Sequence, residues 1–294
     1  MPGTKEILNR INSVADTMKI TSAMYTISSA KLKKARLALE NTEPYFFSLQ
    51  EALAKVLSKS PEVGNKFFDK REYLDPHERK QGYIVVTADK GLAGAYNHNV
   101  LKIAEKEALS DNKNMCFVVG EVGREYFAKR GIDIDINFRY TAQSPNMNRA
   151  RVISDKMIEL FESKQLDEVY IVYTRVENSL ETVAEIRQLL PFKMERLPIE
   201  TGWQDYDELI FYPNIQEVFE KIVPNYVAGF VYGALIESYC SEHNARMVAM
   251  QNATENAKQM LADLKKEYNS ARQSAITQEI TEVIAGANAQ KFKN

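Results

Sequence analysis

Apolar side chains recur along the first part of the chain at alternating steps of four and three residues. Twelve of the fifteen positions on this seam, from Ile7 to Val56, are apolar or aromatic. The pattern lasts about seven heptads, more than the three to four that indicate a coiled coil. Pro44 is the one helix breaker and predicts a kink or local loosening, and residues 60–65 end the segment. The pattern predicts a helix of roughly 55 residues and about 80 Å.

The last segment repeats this spacing. From Ile236 the same steps reach Ala275, after which the apolar positions drift to Ile276, Ile280 and Ile284. The pattern predicts a helix from near Tyr212 to about Ala285, with Gly286 as its stop. A coiled coil needs a second strand, so the two chain ends are expected to pair antiparallel.

The middle of the chain alternates between short apolar runs and amphipathic segments. The runs predict strands at 83–87, 115–119, 169–173 and 180–190. The composition of 180–190 is also compatible with a helix. Residues 132–136 alternate between apolar and acidic side chains with period two. Helices are predicted at 95–109, 121–130 and 150–163. This alternation is typical of βαβ units. The expected fold is an α/β head, a Rossmann-like open sheet, inserted into a long antiparallel α-helical coiled coil formed by the N- and C-terminal segments. The expected domains are a discontinuous coiled-coil stalk, 1–60 and 210–288, and an α/β globular domain, 75–200.

Charge is unevenly distributed along the chain. The formal net charge is −2, but residues 1–40 carry +4, residues 241–294 carry +1, and the middle carries the remaining −7. A basic helical face is most simply a solvated surface, and otherwise indicates an acidic partner. The acidic middle argues against nucleic-acid binding. The start of the chain has no signal or transit character and the longest apolar run is too short for a membrane span, which favours a cytoplasmic compartment.

Few residues point to chemistry of the chain's own. Two cysteines and three histidines lie far apart in sequence, which argues against a disulfide framework and a metal site. The turn at 89–94 follows the first strand, where a phosphate-binding loop belongs, but it has only two glycines, Gly91 and Gly94. The simpler interpretation is a tight turn from strand to helix. No catalytic, cofactor-binding or metal residues are therefore expected, and the chain is not expected to be an enzyme.

Several longer strings are more specific than the periodicity. They are INSVADTMKITSAM at 11–24, ADKGLAGAYN at 88–97, SEHNARMVAM at 241–250, ATENA at 253–257, YNSARQ at 268–273, ITQEI at 276–280 and AGA at 285–287. In this order and over the whole chain, they resemble the gamma subunits of F-type ATP synthases. Ala93 stands where many members have Cys, and Ser22 where Lys is common. The regulatory cysteine insertion of chloroplast members is missing, so thiol control is not expected.

The resemblance implies a non-catalytic rotor stalk of an ion-translocating ATP synthase. The implied partners are three alpha and three beta subunits around the coiled coil, the epsilon subunit and the membrane c-ring. Ion-driven rotation of the c-ring would drive the three beta subunits through their conformational cycle for ATP synthesis, and ATP hydrolysis would reverse it. The implied location is peripheral, at the cytoplasmic face of the bacterial cell membrane, without direct membrane insertion.

The resemblance also implies contacts with the beta subunits. The residues expected to make them are Met24, Lys31, Lys33, Lys34, Arg246, Arg272, Gln273, Thr277 and Glu279. Arg272 and Gln273 match the pair that hydrogen-bonds the beta catch loop, and the basic face would meet acidic lever segments. Met24 either contacts the beta lever or packs beside the seam. Arg246, like Glu242, makes either intrasubunit or beta-facing polar contacts.

Two other functions stay open on the residues alone. One is a coiled-coil scaffold or adaptor, which the long helices would serve. The other is a nucleotide-binding α/β enzyme with a helical arm, whose ligand would lie near Gly91 and Gly94.

Overall fold

Two long helices form the chain ends, and a small α/β region lies between them in the sequence. A computed structural model describes residues 4–59, 66–108, 110–111, 113–177, 182–192, 212 and 214–291. The long helices are α1 (Thr4–Lys59) and α5 (Ile215–Lys291). Between them lie β1 (Gln81–Val86), α2 (Tyr96–Ala108), β2 (Met115–Val119), α3 (Glu121–Arg130), α4 (Met147–Glu162), β3 (Glu168–Val176) and β4 (Thr182–Leu190). Short 3₁₀ turns at Lys66–Phe68 and Pro76–Glu78 precede β1.

Contacts divide the chain into two compact units. The first combines Met1–Ser28 with Arg246–Asn294, and the second is Ser29–Ala245. In the first unit α1 packs against α5 with Ile7 and Leu264 buried. In the second unit the Phe46 ring of α1 stacks on the Tyr226 ring of α5, with centroids 5.2 Å apart. Both units thus contain the antiparallel helix pair that the heptad patterns predict.

The predicted seam of α1 is the face that packs. Every one of its positions from Ile7 to Val56 is buried or half-buried except Tyr25, which is 37% exposed. On α5 the predicted positions stay buried or half-buried as far as Ala271, and from Arg272 to Gly286 every residue is exposed. The heptad pattern therefore identifies the α1–α5 interface, and that interface ends at Ala271.

Four strands form a mixed sheet in the order β2-β1-β3-β4. Strand β1 lies parallel to both β2 and β3, and β4 is an antiparallel edge strand beside β3. The central strand is buried on both faces, which explains why residues 83–86 are a continuous apolar run instead of an alternating one. The expected fold class, a Rossmann-like open sheet between two long paired helices, is confirmed.

Helices cover both faces of this sheet. On one face Ile84, Phe117 and Ile171 pack against α4 and against parts of α1 and α5, including Leu53 and Phe219. On the other face Tyr83, Val85 and Val118 pack against α2 and α3. The second unit is therefore a three-layer α/β structure in which the chain-end helices supply part of one layer.

One local prediction is wrong, and one alternating segment does not form a strand. Helix α5 does not stop at Gly286 but continues to Lys291. An exposed glycine destabilises a helix by only about 1 kcal/mol relative to alanine, and the neighbouring Ala285 and Ala287 have high helix propensity. Residues 132–136 form no strand, and Ile134 makes a single bridge to Cys116. The Asp135 carboxylate accepts a hydrogen bond from the Asn137 N–H at 2.8 Å, which turns the chain away from the sheet.

The remaining boundaries agree with the predicted elements. Helix α1 is continuous across Pro44, and the last segment of the sheet is a strand, Thr182–Leu190, instead of the alternative helix. The predicted end of the first helix at 60–65, and the predicted boundary residues 109 and 180–181, lie outside the described residues.

Candidate functional site

The turn after β1 is held by side chains of the sheet region. The Ala88 N–H donates to Asn97 Oδ1 at 2.9 Å. The Asp89 carboxylate accepts hydrogen bonds from the Gln143 N–H at 3.1 Å and from the Thr141 hydroxyl. Gly94 has a φ of +54°, a left-handed conformation that glycine adopts without steric cost. The turn is thus a tight connection from strand to helix, as the simpler interpretation of its glycines predicted.

Helix α5 lies at the crevice where an α/β sheet of this kind usually binds its ligand. Because β2 and β3 lie on opposite sides of β1, the strand order reverses beside β1, and ligands bind at the carboxyl ends of strands at such a point. Here Ser238 of α5 accepts a hydrogen bond from the Thr174 N–H at 3.2 Å. A Cβ on Gly94 would stand 4.0 Å from the Ala245 carbonyl oxygen of α5. The crevice is therefore used for packing a helix.

The buried thiols are poorly suited to nucleophilic chemistry. Burial raises the pKa of Cys116 to about 12. Burial also raises the pKa of Cys240 to about 11, against the opposing effect of Arg36. A thiol protonated at neutral pH is a weak nucleophile and a weak metal ligand. Among the described residues, no three His, Cys, Asp or Glu side chains gather as a metal-binding group.

The predicted contact residues of α1 lie on its less buried faces. Lys33 and Lys34 are exposed, while Lys31 and Met24 are half-buried. Met24 stands between two exposed apolar residues, Ile20 (60% exposed) and Ile27 (56% exposed). The spacing 20, 24 and 27 places these three on one helix face. The heptad pattern did not single out Ile20 and Ile27, although apolar residues that repeat off the seam at steps of four and three were a usable signal.

The predicted contact residues near the end of α5 are all exposed and close together. Arg272, Gln273, Thr277 and Glu279 fall within about two helical turns. Four apolar residues of the same stretch are also exposed, by 47% to 71%: Ile276, Ile280, Val283 and Ile284. We call this set the apolar stripe. The heptad pattern placed the three isoleucines on a drifting continuation of the seam and did not include Val283.

The register of the helix pair explains where this exposure begins. In the first unit, Thr21 faces Thr254. With antiparallel helices, this pair indicates that the start of α1 at Thr4 lies level with about residue 271 of α5. Residues beyond Ala271 therefore extend past the α1 helix that covers the seam, and their apolar side chains stay open.

Arg246 is placed differently from the other predicted contact residues. Its side chain and that of Glu242 are both buried, with 6% of each residue exposed. A charged group taken out of water needs partners close at hand. Burial thus favours the intrasubunit alternative for these two residues.

The predicted contact residues are divided between the two units. Along α5, Arg272 lies 18 residues beyond Thr254, so it is roughly 30 Å along the helix axis from the level of Met24. Lys31, Lys33 and Lys34 lie on one turn of α1 within the second unit. No helix in the described part of the chain has the length and hydropathy that a membrane span requires.

Sequence comparison identifies close relatives over the full length. The family model described as ATP synthase matches residues 3–290. The ATP synthase gamma chain of Ruminiclostridium cellulolyticum is 41% identical over 290 residues, which cover 97% of this chain and 98% of that one. A sodium-ion-specific ATP synthase gamma chain from Acetobacterium woodii is 37% identical over 300 residues, with 97% and 98% covered.

Solved structures share the fold at low sequence identity. The central stalk and c-ring structure of Tetrahymena thermophila mitochondrial ATP synthase contains a chain that matches 80% of this one and 99% of its own length. Its TM-score is 0.58 and its identity is 22%. A Euglena gracilis mitochondrial ATP synthase structure matches with a TM-score of 0.57 at 17% identity, covering 92% and 95%. With the full-length relatives, these findings show that the chain belongs to the ATP synthase gamma chain family, the non-catalytic subunit of the F-type central stalk.

Proposed function

We propose that this gamma subunit is the rotating shaft that couples ion flow through a membrane c-ring to the conformational cycle of three catalytic beta subunits. In this role α1 and the C-terminal part of α5 stand inside a ring of three alpha and three beta subunits. The α/β region meets the epsilon subunit and the c-ring. The chain lies peripherally at the cytoplasmic face of a bacterial membrane and does not insert into it.

The exposed end of α5 is the observation that carries this proposal. From Arg272 to Gly286 every residue is exposed, and the apolar stripe follows one helix face at 276, 280, 283 and 284. Exposed apolar residues at contiguous positions mark a surface that a partner covers. A collar of subunits around the end of a shaft would cover such a surface.

Polar groups around the stripe supply directional contacts. Arg272 offers a planar guanidinium, which can donate two parallel hydrogen bonds to a carboxylate. Gln273 beside it carries both a donor and an acceptor. Their exposure leaves them available to the beta catch loop, with Thr277 and Glu279 one to two turns further on.

The basic residues of α1 are suited to a second contact with beta. Lys33 and Lys34 are exposed and Lys31 is half-buried, so their ammonium groups can reach an acidic partner. The face formed by Ile20, Met24 and Ile27 gives an apolar contact on the same helix. Beta lever segments that carry acidic and apolar residues would complement both.

Rotation acts through differences in free energy. An asymmetric shaft cannot contact three identical catalytic sites in the same way, so each angle favours a different open or closed state at each site. The affinities for ADP, phosphate and ATP then change with angle. Because such coupling is reciprocal for binding free energies, ATP binding and hydrolysis also bias the angle. The chain itself needs no catalytic residue for this function.

Co-purification tests the proposed assembly. The full chain carrying an affinity tag, expressed with alpha and beta subunits, should elute as a complex of three alpha, three beta and one gamma by native mass measurement. A matched variant with serine at 276, 280, 283 and 284 should yield less of this complex, because the apolar contact is lost. Recovery of the tagged chain without alpha and beta subunits would overturn the proposal.

A further inference from the structure

A cavity of about 230 Å³ lies in the second unit, between α1, α5 and β3. Five aromatic rings line it: Phe46, Phe47, Tyr173, Phe230 and Tyr232. Its volume is below the roughly 300–1,000 Å³ of pockets for drug-sized ligands, so it suits a molecule with one ring or a short alkyl group. Neither the gamma-subunit family assignment nor the proposed rotation uses this cavity.

Two glycines of α5 shape the cavity, and they differ in what they do. A Cβ on Gly229 would stand 3.0 Å from Phe46 Cδ2, so this glycine allows α1 to approach α5 closely. A Cβ on Gly233 would meet nothing within 4 Å. A glycine inside a helix destabilises that helix relative to alanine. Close packing therefore does not explain why a glycine stands at position 233. Its lack of a side chain instead leaves this part of the cavity wall open.

A carboxylate on the cavity wall has an oxygen without a partner. Glu237 Oε2 is buried and accepts no hydrogen bond from the described residues. The carboxylate does accept a hydrogen bond from the Val176 backbone N–H. Glu43, also on the lining, is exposed and adds a second acidic group. No Lys or Arg occurs among the described lining residues, so the cavity is acidic and aromatic.

We propose that this cavity binds a small organic cation, an ammonium group carried on a single ring or a short alkyl chain. The ammonium group would lie beside the Glu237 carboxylate, whose negative charge is not offset by any Lys or Arg among the described lining residues. The aromatic rings would surround the apolar part and attract the positive charge through their faces. A neutral or anionic molecule of the same shape lacks the first of these contacts.

The charges around Glu237 give the binding a pH dependence. Burial raises the pKa of Glu237 to about 7, with Glu185 raising it further and the Val176 N–H, Arg175 and Arg187 opposing the rise. Arg175 and Arg187 both pair with Glu185 on the strand side, and Glu43 faces Glu237 from α1. Glu237 is therefore more fully charged at pH 8 than at pH 6. A cation that stays protonated in this range should bind more tightly at pH 8.

Calorimetric titration of the full chain with benzylamine tests this inference. Benzylamine should bind saturably with one site at pH 8, and benzyl alcohol, which has the same ring and no charge, should bind at least tenfold more weakly. Glu237→Gln should weaken benzylamine binding at least tenfold, while Glu220→Gln, an exposed carboxylate of the same helix, should leave it unchanged. Gly233→Leu should abolish binding by filling the cavity, and Gly286→Leu should not affect it.

The wild-type chain alone keeps the test decisive if a variant fails to fold. Its benzylamine affinity should rise several-fold from pH 6 to pH 8, and benzyl alcohol binding should not change. Equal affinities for the amine and the alcohol, or no saturable binding of benzylamine by the folded wild-type chain, would overturn the inference. None of these results depends on assembly with alpha and beta subunits, so they are independent of the proposed rotor function.

Discussion

The side-chain oxygens of Thr21 and Thr254 lie 2.7 Å apart and join α1 to α5 by a hydrogen bond. Thr21 is 8% exposed and Thr254 is half-buried, so this pair is a polar element in a largely apolar seam. Thr254 Oγ1 is also 2.8 Å from the Met250 carbonyl oxygen of its own helix, to which it can donate. The hydroxyls satisfy each other, which explains how the seam tolerates polar residues without loss of close packing.

Replacing both threonines of this pair should cost less than the sum of the two single replacements. Thr21→Val or Thr254→Val alone removes the hydrogen bond between the helices, at a cost of about 0.5–1.5 kcal/mol in the free energy of unfolding. The remaining hydroxyl keeps only a carbonyl of its own helix as acceptor, Met18 for Thr21 and Met250 for Thr254. The double valine variant should be less destabilised than the sum of the two. Urea unfolding of all four chains measures this coupling. Strict additivity of the two single effects would show that the hydrogen bond contributes nothing.

Gly120 should be intolerant of any side chain. Its φ is +93°, and a Cβ there would lie 2.7 Å from the Thr87 carbonyl carbon and still closer to the Thr87 carbonyl oxygen. Gly120→Ala should therefore destabilise the chain by about 3 kcal/mol or more. Gly131 is the matched control, since its φ is +67° but a Cβ would meet nothing within 4 Å. Gly131→Ala should cost about 1–2 kcal/mol, and equal unfolding midpoints for the two variants would contradict the predicted clash.

Glu237 should make stability fall as the pH rises. Its pKa is raised from an ordinary value of 4.5 to about 7, chiefly by burial. Between these values the folded chain holds a proton that the unfolded chain releases, so the free energy of unfolding decreases with rising pH. Glu237→Gln removes this term. Its stability relative to the wild type should therefore increase from pH 5 to pH 8 in denaturant titrations, and a constant difference would contradict the raised pKa.

Arg272 and Gln273 should matter for turnover of the complex and not for folding. Both are exposed on α5, so replacing them with alanine removes no buried contact within the chain. A hydrogen bond to a charged group contributes about 1.5 kcal/mol or more, which is at least about tenfold in an equilibrium constant. Coupled ATPase turnover of the assembled complex should therefore fall by about tenfold. Arg272→Lys keeps the positive charge but cannot donate two parallel hydrogen bonds, so its turnover should lie between those of the wild type and the double alanine variant. Unchanged turnover in the double alanine variant, with normal circular dichroism, would remove the pair from the contact surface.

The basic residues of α1 should act through their charge. Reversal of Lys31, Lys33 and Lys34 to glutamate should impair ATP-driven ion pumping in reconstituted vesicles, because it places like charges against acidic beta segments. The neutral variant with glutamine at all three positions should have a smaller effect. Added salt should narrow the difference between the two variants, since it screens exposed charges. Wild-type pumping by the glutamate variant would indicate that these residues form only a solvated surface.

The heptad pattern was sufficient to predict both long helices and the face that each packs. It could not place the point where the partner ends, because that depends on the register between residues such as Thr21 and Thr254. Ile276 and Ile280 therefore looked like a continuing seam, although they lie past the start of α1 and are exposed.

Local side-chain chemistry limited the other predictions. The alternation at 132–136 resembles a strand, but a hydrogen bond from the Asn137 N–H to Asp135 turns the chain there. The cavity beside Glu237 was not foreseen, because its lining comes from three elements far apart in sequence. A glycine such as Gly233 inside a predicted helix indicates either an irregular helix or close helix packing, and neither points to a cavity.

Observation of single complexes tests the shaft function most directly. The alpha and beta subunits are fixed to a surface, a bead is attached to the α/β region of this chain, and its angle is followed after ATP is added. Three equivalent catalytic sites around one shaft predict rotation in one direction with pauses about 120° apart. ATP hydrolysis at the normal rate without rotation of the bead would contradict the account.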